Sequence, residues 1–415
     1  MSLKLLHLAD VHIGLENYGR IDPATGLHTR LLDFVKCLSF AVDRALEERV
    51  DCVLFAGDAY RTCTPNPTQE RAFAEQIRRL SERGIPVVMI PGNHDLPVAF
   101  GRATAIDIFA ALDIEHVTVV TKPEIVRLET AHGPVQVLCF PWPTRSTLMA
   151  KEEYKDLPES EVRGVLERIC ARLLEQLAKQ VDPAVPSILL AHLAAAQATY
   201  AGSERSTMIG SDPVFQTSTL ANPAFDYVAL GHLHKHQDLN PSGKPHVVYP
   251  GSIERIDFGE AGDSKGFCLV SIVQPEEGPS TPATRTTTYQ FVETPARPFR
   301  SIEVTIGEHE DPTEKILREL RRHDLVGAVV RVTYTCTEEQ SAAIDLRAVR
   351  AALEPAFFVA GLARRLEPKK APVRVEITEH IGILEALDKY IDSHPELWPL
   401  REDLKTYAQR LEEEG

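Results

Sequence analysis

The stretch PVVMIPGNHD (Pro86–Asp95) decides the fold, because an apolar run of strand character stops abruptly at a polar turn. A Pro-Gly pair ends the run, and the next three residues are Asn93, His94 and Asp95, whose side chains can bind metals or move protons. In open α/β sheets, ligands bind in the loops beyond the carboxyl ends of parallel strands. The stretch therefore predicts a strand of such a sheet, with a functional loop at its end.

The same kind of junction occurs four more times along the chain. The apolar runs LKLLHLA, CVLFAG, SILLA and YVALG lead, in this order, into Asp10 and His12, Asp58, His192, and His232 with His234. Asp, Asn and Gly are common at strand ends, so turn chemistry alone would explain one junction. Five junctions in the order D-x-H, G-D, G-N-H-D, H and G-H-x-H are far more specific. We therefore expect these side chains to converge on one face.

Helical periodicity fills the intervals between these strands. Apolar residues recur at helical spacing over Leu31–Val50, and further helices are predicted near Thr68–Arg83, Arg102–Leu112 and Glu159–Gln180. Alternating strands and helices predict an α/β fold whose strands are covered on both faces. His7, inside the first strand, is interpreted as a core histidine with its hydrogen bonds satisfied.

Composition divides the chain into four parts. The stretch PEEGPSTPATRTTT, rich in Pro, Ser and Thr, is typical of a linker. After it, strand and helix patterns indicate a small α+β module, and the last part of the chain is helical and acidic. The predicted parts are a site-bearing domain at 1–275, a linker-like stretch with a return strand at 276–295, a small α+β domain (the cap module) at 296–375, and a helical tail at 376–415.

The composition is that of a soluble globular protein, with 43% hydrophobic and 25% charged residues among 415. We expect a cytoplasmic location, because no apolar run approaches a membrane span and the start does not resemble a signal peptide. Seven cysteines without a C-x-x-C pair predict reduced, buried thiols. The net charge of −15 argues against tight nucleic-acid binding by the chain alone, since phosphate neutralisation supplies most non-specific affinity.

The residue types at the five junctions suit a pair of metal ions. Imidazole with carboxylate suits Mn, Fe or Zn, whereas all-oxygen sites suit Mg or Ca. A carboxylate can bridge two cations, and a pair about 3.5–4 Å apart can clamp the attacking and leaving oxygens of a phosphoryl displacement. Such cations also acidify a bound water. We therefore expect a phosphodiesterase with two divalent metals, Mn²⁺ first, with Mg²⁺ or Fe²⁺ as alternatives.

These motifs resemble those of the calcineurin-like metallophosphoesterase superfamily. Within it, the string YPGSIERIDFGE (Tyr249–Glu260), followed by KGF at Lys265, is similar to the SbcD-type nucleases of DNA double-strand-break repair. The resemblance continues more loosely through PARPF (Pro295–Phe299) into the cap module and the tail. It implies a layered α-β-β-α sandwich with a small α+β cap domain and a C-terminal helical segment.

The resemblance also implies a role for each site residue. The first ligand set would be Asp10, His12, Asp58 and His234, and the second would be Asp58, Asn93, His192 and His232, with Asp58 bridging the two metals. His94 would not be a ligand but would support the transition state and assist the leaving oxygen, and Asp95 would orient His94 by hydrogen bonding. Arg61 stands where some relatives carry a histidine, so a phosphate contact and a surface arginine both remain open.

As a function, the resemblance implies a DNA nuclease subunit, with 3′ to 5′ exonuclease action on duplex ends and endonuclease action on single strands or hairpins. It would act with an SMC-like ATPase subunit, SbcC, on whose coiled coil the helices from Glu379 onward would dock; packing of these helices on the cap module is the alternative. The helices near Thr68–Arg83 and Arg102–Leu112 would form a homodimer interface. Ser252 and Arg255 are interpreted as bracing a loop against the sheet rather than contacting DNA.

Two other functions remain open. A calcineurin-like phosphodiesterase or phosphatase on small molecules would cut a small phosphodiester but not DNA, even with the ATPase partner. A non-catalytic scaffold that keeps the same fold would stay free of bound metal under excess Mn²⁺.

Overall fold

The computed structural model describes residues 2–97, 101–144, 154, 157–202, 212–274, 285–366 and 382–414. In chain order, its strands are β1 (Ser2–Leu8), β2 (Cys52–Phe55), β3 (Val87–Met89), β4 (Val117–Val119), β5 (Glu124–Thr130), β6 (Gly133–Phe140), β7 (Ser187–His192), β8 (Ala194–Ala195), β9 (Val214–Phe215), β10 (Tyr227–Gly231), β11 (Gln237–Asp238), β12 (His246–Tyr249), β13 (Gly266–Val273), β14 (Thr286–Glu293), β15 (Phe299–Thr305), β16 (Val329–Cys336) and β17 (Phe358–Leu366). Its α-helices are α1 (Thr29–Glu48), α2 (Pro67–Ser81), α3 (Asp107–Ala111), α4 (Glu159–Ala178), α5 (Thr217–Leu220), α6 (Pro312–Leu320), α7 (Glu338–Ala343), α8 (Leu346–Ala352), α9 (Ile383–Asp392) and α10 (Arg401–Glu414), with short 3₁₀ turns at Phe258–Glu260 and Pro395–Leu400.

Two six-stranded sheets form the centre of the fold. The first has the strand order β14-β13-β1-β2-β3-β4, and the second has the order β11-β12-β10-β7-β6-β5. Strands β1 to β4 are parallel to one another, and so are β6, β7, β10 and β12. Strands β13 and β14 return antiparallel beside β1, so the first sheet includes the return strand predicted after the linker. Most of the linker-like stretch lies outside the described residues.

Helices cover both outer faces of this pair of sheets. Phe34 of α1 and Phe73 of α2 lie in one buried apolar cluster with the outer face of the first sheet. Leu54 and Ile188 belong to a second cluster, which fills the space between the sheets. Leu174 of α4 belongs to a third cluster on the outer face of the second sheet. The layers therefore follow the order α-β-β-α, as the resemblance implied, and the predicted fold class is confirmed.

The predicted helices α1, α2 and α4 are present with small shifts at their ends. Helix α2 begins at an Asn66 capping box with Gln69, and Pro67 occupies its first turn. The helix expected over Arg102–Leu112 is shorter and comprises only α3. Asp107 accepts hydrogen bonds from the backbone N–H and the hydroxyl of Thr104, at 2.8 and 2.9 Å, so the chain turns here before the helix begins.

His7 is a core histidine, as predicted. Its Nδ1 lies 3.1 Å from the Tyr227 hydroxyl and its Nε2 lies 3.1 Å from the Leu230 carbonyl, so the ring joins the two sheets. Burial lowers the pKa of His7 to about 3, which keeps the ring neutral. The cysteines are free thiols, and all but the partly exposed Cys63 are buried, as expected for reduced structural thiols.

The described part of the cap module has its own apolar core beneath a three-stranded parallel sheet, β15-β16-β17. Arg297 joins this module to the rest of the chain. Its Nε donates to Asp33 of α1 at 2.6 Å, and its Nη1 donates to the Gly327 carbonyl at 2.8 Å. Phe258 and Phe299 pack in a small cluster beside this link. The predicted boundary between cap module and tail, at 375/376, lies outside the described residues.

The described part of the tail consists of α9, a 3₁₀ turn and α10. Asp388 of α9 forms ion pairs with Arg401 and Lys405 of α10, so the two helices contact each other. Several apolar side chains of the tail are exposed: Ile383, Tyr390, Trp398, Leu400, Tyr407 and Leu411. Every helix in the described part of the chain is too short or too polar to span a bilayer.

Candidate metal centre

The five sequence junctions meet at the carboxyl ends of neighbouring parallel strands. Strands β1, β2 and β3 are adjacent in the first sheet, and β7 and β10 are adjacent in the second. The loops that follow these strands therefore face one another across the sandwich. The structure brings together all seven side chains predicted as ligands: Asp10, His12, Asp58, Asn93, His192, His232 and His234.

The backbone at this edge is held in an unfavourable conformation. Asp10, His12, Asp58 and His232 have φ angles of 53°, 51°, 59° and 106°. Such a conformation costs a non-glycine residue on the order of 1–3 kcal/mol, and it persists where the surroundings enforce it, often at functional sites. Here the enforcement comes from hydrogen bonds between the loops: Asp10 N–H donates to the Gly57 carbonyl at 3.0 Å, and His12 N–H donates to the Asp58 carbonyl at 3.1 Å.

The first ligand set converges around the Nε2 atom of His12. This atom lies 3.0 Å from Nε2 of His234 and 3.7 Å from Oδ2 of Asp58. Ligand atoms of Asp10, His12 and His234 all lie within 4.8 Å of one another. Nitrogen and oxygen lone pairs that converge in this way suit a divalent transition metal.

The second ligand set converges around the side-chain oxygen of Asn93. This oxygen lies 3.0 Å from Nε2 of His192 and 3.0 Å from Nδ1 of His232. Asp58 Oδ2 lies 3.5 Å from His192 Nε2, so the same oxygen faces both ligand sets. The geometry therefore fits the arrangement that the resemblance implied, in which one carboxylate bridges two cations.

Burial and charge together set the protonation of the ligand side chains. Burial alone would raise the pKa of Asp58, but the neighbouring His192 and His12 hold it well below its usual range. Burial raises the pKa of Asp10 to about 7. Burial alone would lower the pKa of His192, but the negative charge of the neighbouring Asp58 outweighs burial and raises this pKa to about 9. A proton on His192 therefore neutralises part of the Asp58 carboxylate charge that a bound cation would otherwise neutralise.

His94 lies at the rim of the first ligand set. Its backbone N–H donates to Asp58 Oδ1 at 2.8 Å, and one of its ring nitrogens lies within 4.8 Å of ligand atoms of His12 and Asp58. Its Nδ1 lies 3.0 Å both from Nη1 of Arg61 and from the Arg61 carbonyl. Arg61 is exposed but contacts the predicted catalytic histidine, so it belongs to the site.

The hydrogen bond expected between Asp95 and His94 is not among those of the described residues. Both oxygens of the buried Asp95 carboxylate accept backbone N–H groups instead, from Asp58, Ala59, Tyr60 and Gly92, at 2.8 to 3.3 Å. These donors belong to the two loops after β2 and β3. Asp95 therefore fixes the loop that presents Asp58, and Arg61 takes the place beside His94.

Other residues of the centre carried no assigned role from the sequence. The Glu260 carboxylate lies 2.8 Å from His234 Nδ1 and 2.8 Å from Lys265 Nζ. The Trp142 ring lies 4.7 Å from the His232 ring, between centroids. Glu260 is the last residue of the string that carries the family resemblance, and this position could have pointed to it. No motif pointed to Trp142, because ninety residues separate it from His232 in sequence.

Ser252 and Arg255 make hydrogen bonds of the kind expected for residues that brace a loop. The Ser252 hydroxyl donates to the Glu254 carbonyl at 2.9 Å. The Arg255 guanidinium donates to the carbonyls of Arg297 and Asp263, at 3.1 and 2.8 Å. The bond to Arg297 joins the loop after β12 to the entry of the cap module, and the other two lie within that loop.

Gly92 allows a close approach in the centre, and Gly92→Ala is expected to abolish metal binding by the second ligand set. A Cβ at this position would lie 2.2 Å from Asp58 Oδ1 and 2.6 Å from His192 Cε1, which forces both side chains to move. Isothermal titration with Mn²⁺ measures the loss.

The matched control is Gly164→Ala, inside α4, where a Cβ would meet only Arg168 Nη1 at 3.5 Å. This change should leave metal binding intact and stabilise the helix by about 0.5–1 kcal/mol. Equal Mn²⁺ binding by the two variants would contradict the close packing at Gly92.

A layered α-β-β-α fold whose two sheets present carboxylate, amide and imidazole ligands in two sets with a shared aspartate defines a dimetal hydrolase of the metallophosphoesterase type. Residues 3–236, more than half of the chain, match the calcineurin-like phosphoesterase family, and the chain belongs to this family. Members of this family use two divalent metals, and the residues present here fit such a pair.

Two solved structures are similar to this chain. The protein TT1561 of Thermus thermophilus is 17% identical with a TM-score of 0.38, and a dimetal phosphatase from Danio rerio is 13% identical with a TM-score of 0.37. In both cases the match covers 65% of this chain and 94% of the other.

Proposed function

We propose that this chain is an SbcD-like DNA nuclease subunit with two divalent metals, most favourably Mn²⁺. The observation that carries the proposal is the position of Asp58 Oδ2 between His12 and His192, 3.7 and 3.5 Å from their Nε2 atoms. A shared carboxylate suits a metal pair, which can clamp a phosphodiester. The resemblance of the string Tyr249–Glu260 to SbcD-type nucleases supports DNA as the substrate.

The chain's own residues would complete the chemistry. When bound, the two cations supply an acidified water and neutralise charge on the scissile phosphate. His94 would give a proton to the leaving oxygen, a contribution of about 10²–10⁴ in rate for a well-placed acid. The exposed Arg61 guanidinium, beside His94, would bind a phosphate oxygen and so position the strand. Asp95 would keep the Asp58 loop fixed through its four backbone donors.

The substrates proposed are duplex ends, cut from 3′ to 5′, and single strands or hairpins, cut internally. With a net charge of −15, the chain by itself would hold DNA weakly. An ATPase partner of the SMC type, SbcC, would therefore load or open the DNA.

The tail offers a surface for this partner. Exposed apolar side chains on the tail include Tyr407 at 69% and Leu411 at 61% exposure, and an apolar helix face laid against a partner is a common recognition mode. Leu411→Asp should weaken capture of the full-length chain by the ATPase subunit while leaving the metal content unchanged. A homodimer through α2 and the α3 region is also proposed, where Ile108 and Leu112 are exposed.

The test is Mn²⁺-dependent degradation of end-labelled duplex DNA by the wild-type chain, with and without the ATPase partner, beside hydrolysis of bis(p-nitrophenyl) phosphate. Cutting of DNA, with products shortened from the 3′ end, supports the proposal. Hydrolysis of the small phosphodiester without DNA cleavage, even with the partner, would replace it with a small-molecule phosphodiesterase. Failure to bind metal under excess Mn²⁺ would indicate a scaffold.

Metal binding is expected to release protons at neutral pH. The metal-free pKa values of about 9 for His192 and about 7 for Asp10 mean that His192, and part of the Asp10 population, hold protons that Mn²⁺ must displace. The affinity for Mn²⁺ should therefore rise as pH increases from about 6 to about 8. Titration calorimetry in buffers of different ionisation enthalpy measures the released protons; a binding enthalpy independent of the buffer would contradict this expectation.

A further inference from the structure

We infer that Glu260 is a positioning residue of the metal centre, which fixes the tautomer and orientation of His234 and so sets the affinity of the first ligand set. The inference rests on the proposed function, since it assumes that His234 binds a metal.

Glu260 is fully buried and uses both of its oxygens. Oε1 accepts from His234 Nδ1 at 2.8 Å. Oε2 lies 2.8 Å from Lys265 Nζ and accepts the Ile256 backbone N–H at 2.9 Å. Because a carboxylate can only accept, His234 must carry its proton on Nδ1, and its Nε2 lone pair is left facing His12 and the first ligand set.

Lys265 holds the same histidine from a second direction. Its fully buried ammonium donates to the His234 carbonyl at 2.9 Å and to the Ser252 hydroxyl at 3.0 Å. Ring and backbone of His234 are thus fixed by a single ion pair. Charged groups are rarely buried unless paired, and here the pair also restrains one candidate ligand.

The other histidine of the first ligand set has no comparable support. His12 Nδ1 is buried without a hydrogen-bond partner among the described residues. Among the described residues, Nδ1 of His192 in the second set contacts a backbone carbonyl, that of Ala56, at 2.6 Å. Removal of such a supporting partner typically weakens metal binding by about 10–100-fold. Removal of Glu260 should therefore weaken metal binding by the first ligand set and leave metal binding by the second set unchanged.

The experiment is Mn²⁺ titration of the full-length wild type, Glu260→Gln and the double variant Glu260→Met with Lys265→Met. A glutamine can turn its oxygen toward His234 or toward Lys265 but not both, so the single variant also strains the lysine. The double variant removes both charges together and leaves no acceptor for His234 Nδ1 at position 260, with side chains of similar size. We expect one of the two Mn²⁺ sites to weaken by about 10–100-fold in both variants, and excess Mn²⁺ to restore the nuclease rate.

The matched control is Glu254→Gln. Glu254 is a buried carboxylate of the same segment, but it accepts from the backbone of Arg255 and Arg297, and its described hydrogen bonds include none with a predicted ligand. This variant should lose stability and keep both Mn²⁺ affinities.

Wild-type affinities at both sites in the double variant would overturn the inference, even if Glu260→Gln alone fails to fold. A wild-type chain that binds no Mn²⁺ would overturn the proposed function instead, so the two failures are distinguishable.

Discussion

Asp58→Asn is expected to remove one of the two metals and to lower the rate of DNA cleavage by on the order of 10³-fold, since metal charge stabilisation contributes several kcal/mol. Asp58 Oδ2 faces His12 and His192, one from each ligand set. An asparagine can offer one neutral oxygen but cannot bridge two cations as a carboxylate does. Its oxygen can still accept the His94 backbone N–H, which the Asp58 carboxylate accepts at 2.8 Å, so the loop should stay in place.

The control for this change is Asp226→Asn. Asp226 is a partly buried carboxylate with several donors, and it accepts the N–H of Ser187, the first residue of β7, at the opposite end of that strand from His192. Mass spectrometry of bound Mn, with cleavage of labelled duplex, compares the two variants. A rate and metal content close to wild type in Asp58→Asn would show that Asp58 is not a bridging ligand.

His94→Ala is expected to keep both metals and to lose about 10²–10⁴ in cleavage rate. The ring lies at the rim of the first ligand set and is held by Arg61, whereas the predicted ligands lie deeper. The bound metal is measured on the same sample as the cleavage rate. Loss of one metal together with the rate would make His94 a ligand and would remove its assignment as the acid for the leaving oxygen.

His132→Ala provides the comparison. This exposed histidine, in the turn between β5 and β6, pairs with Asp51 at 2.6 Å. Its loss should change neither the metal content nor the rate. A similar loss of rate in both variants would point to a general loss of structure.

The sequence predicts the centre well because its ligands lie at repeated junctions of one kind. A strand that ends in Asp58 or His192 is recognisable locally, and parallel strands bring such ends to the same edge. The layered sandwich was predictable from the alternation of strands and helices together with the family resemblance. The seven predicted ligands lie together for that reason.

The other features of the site depend on contacts between distant parts of the chain. Asp95 accepts hydrogen bonds from four backbone N–H groups, whose positions follow from the backbone geometry and not from motif spacing. Glu260 supports His234 because the 3₁₀ turn at Phe258–Glu260 lies next to the site. The sequence shows only that this segment resembles that of a known family, and not which residue it contacts. The placement of Trp142 over His232 likewise needs two strands of the second sheet to be assembled first.

Anomalous diffraction at the manganese edge, from crystals soaked in Mn²⁺, tests most directly whether Asp58 lies between two metals. We predict two peaks about 3.5–4 Å apart, one contacting His12 and His234 and the other contacting Asn93 and His192, with the Asp58 carboxylate between them. A single peak, or two peaks of which only one contacts Asp58, would contradict it.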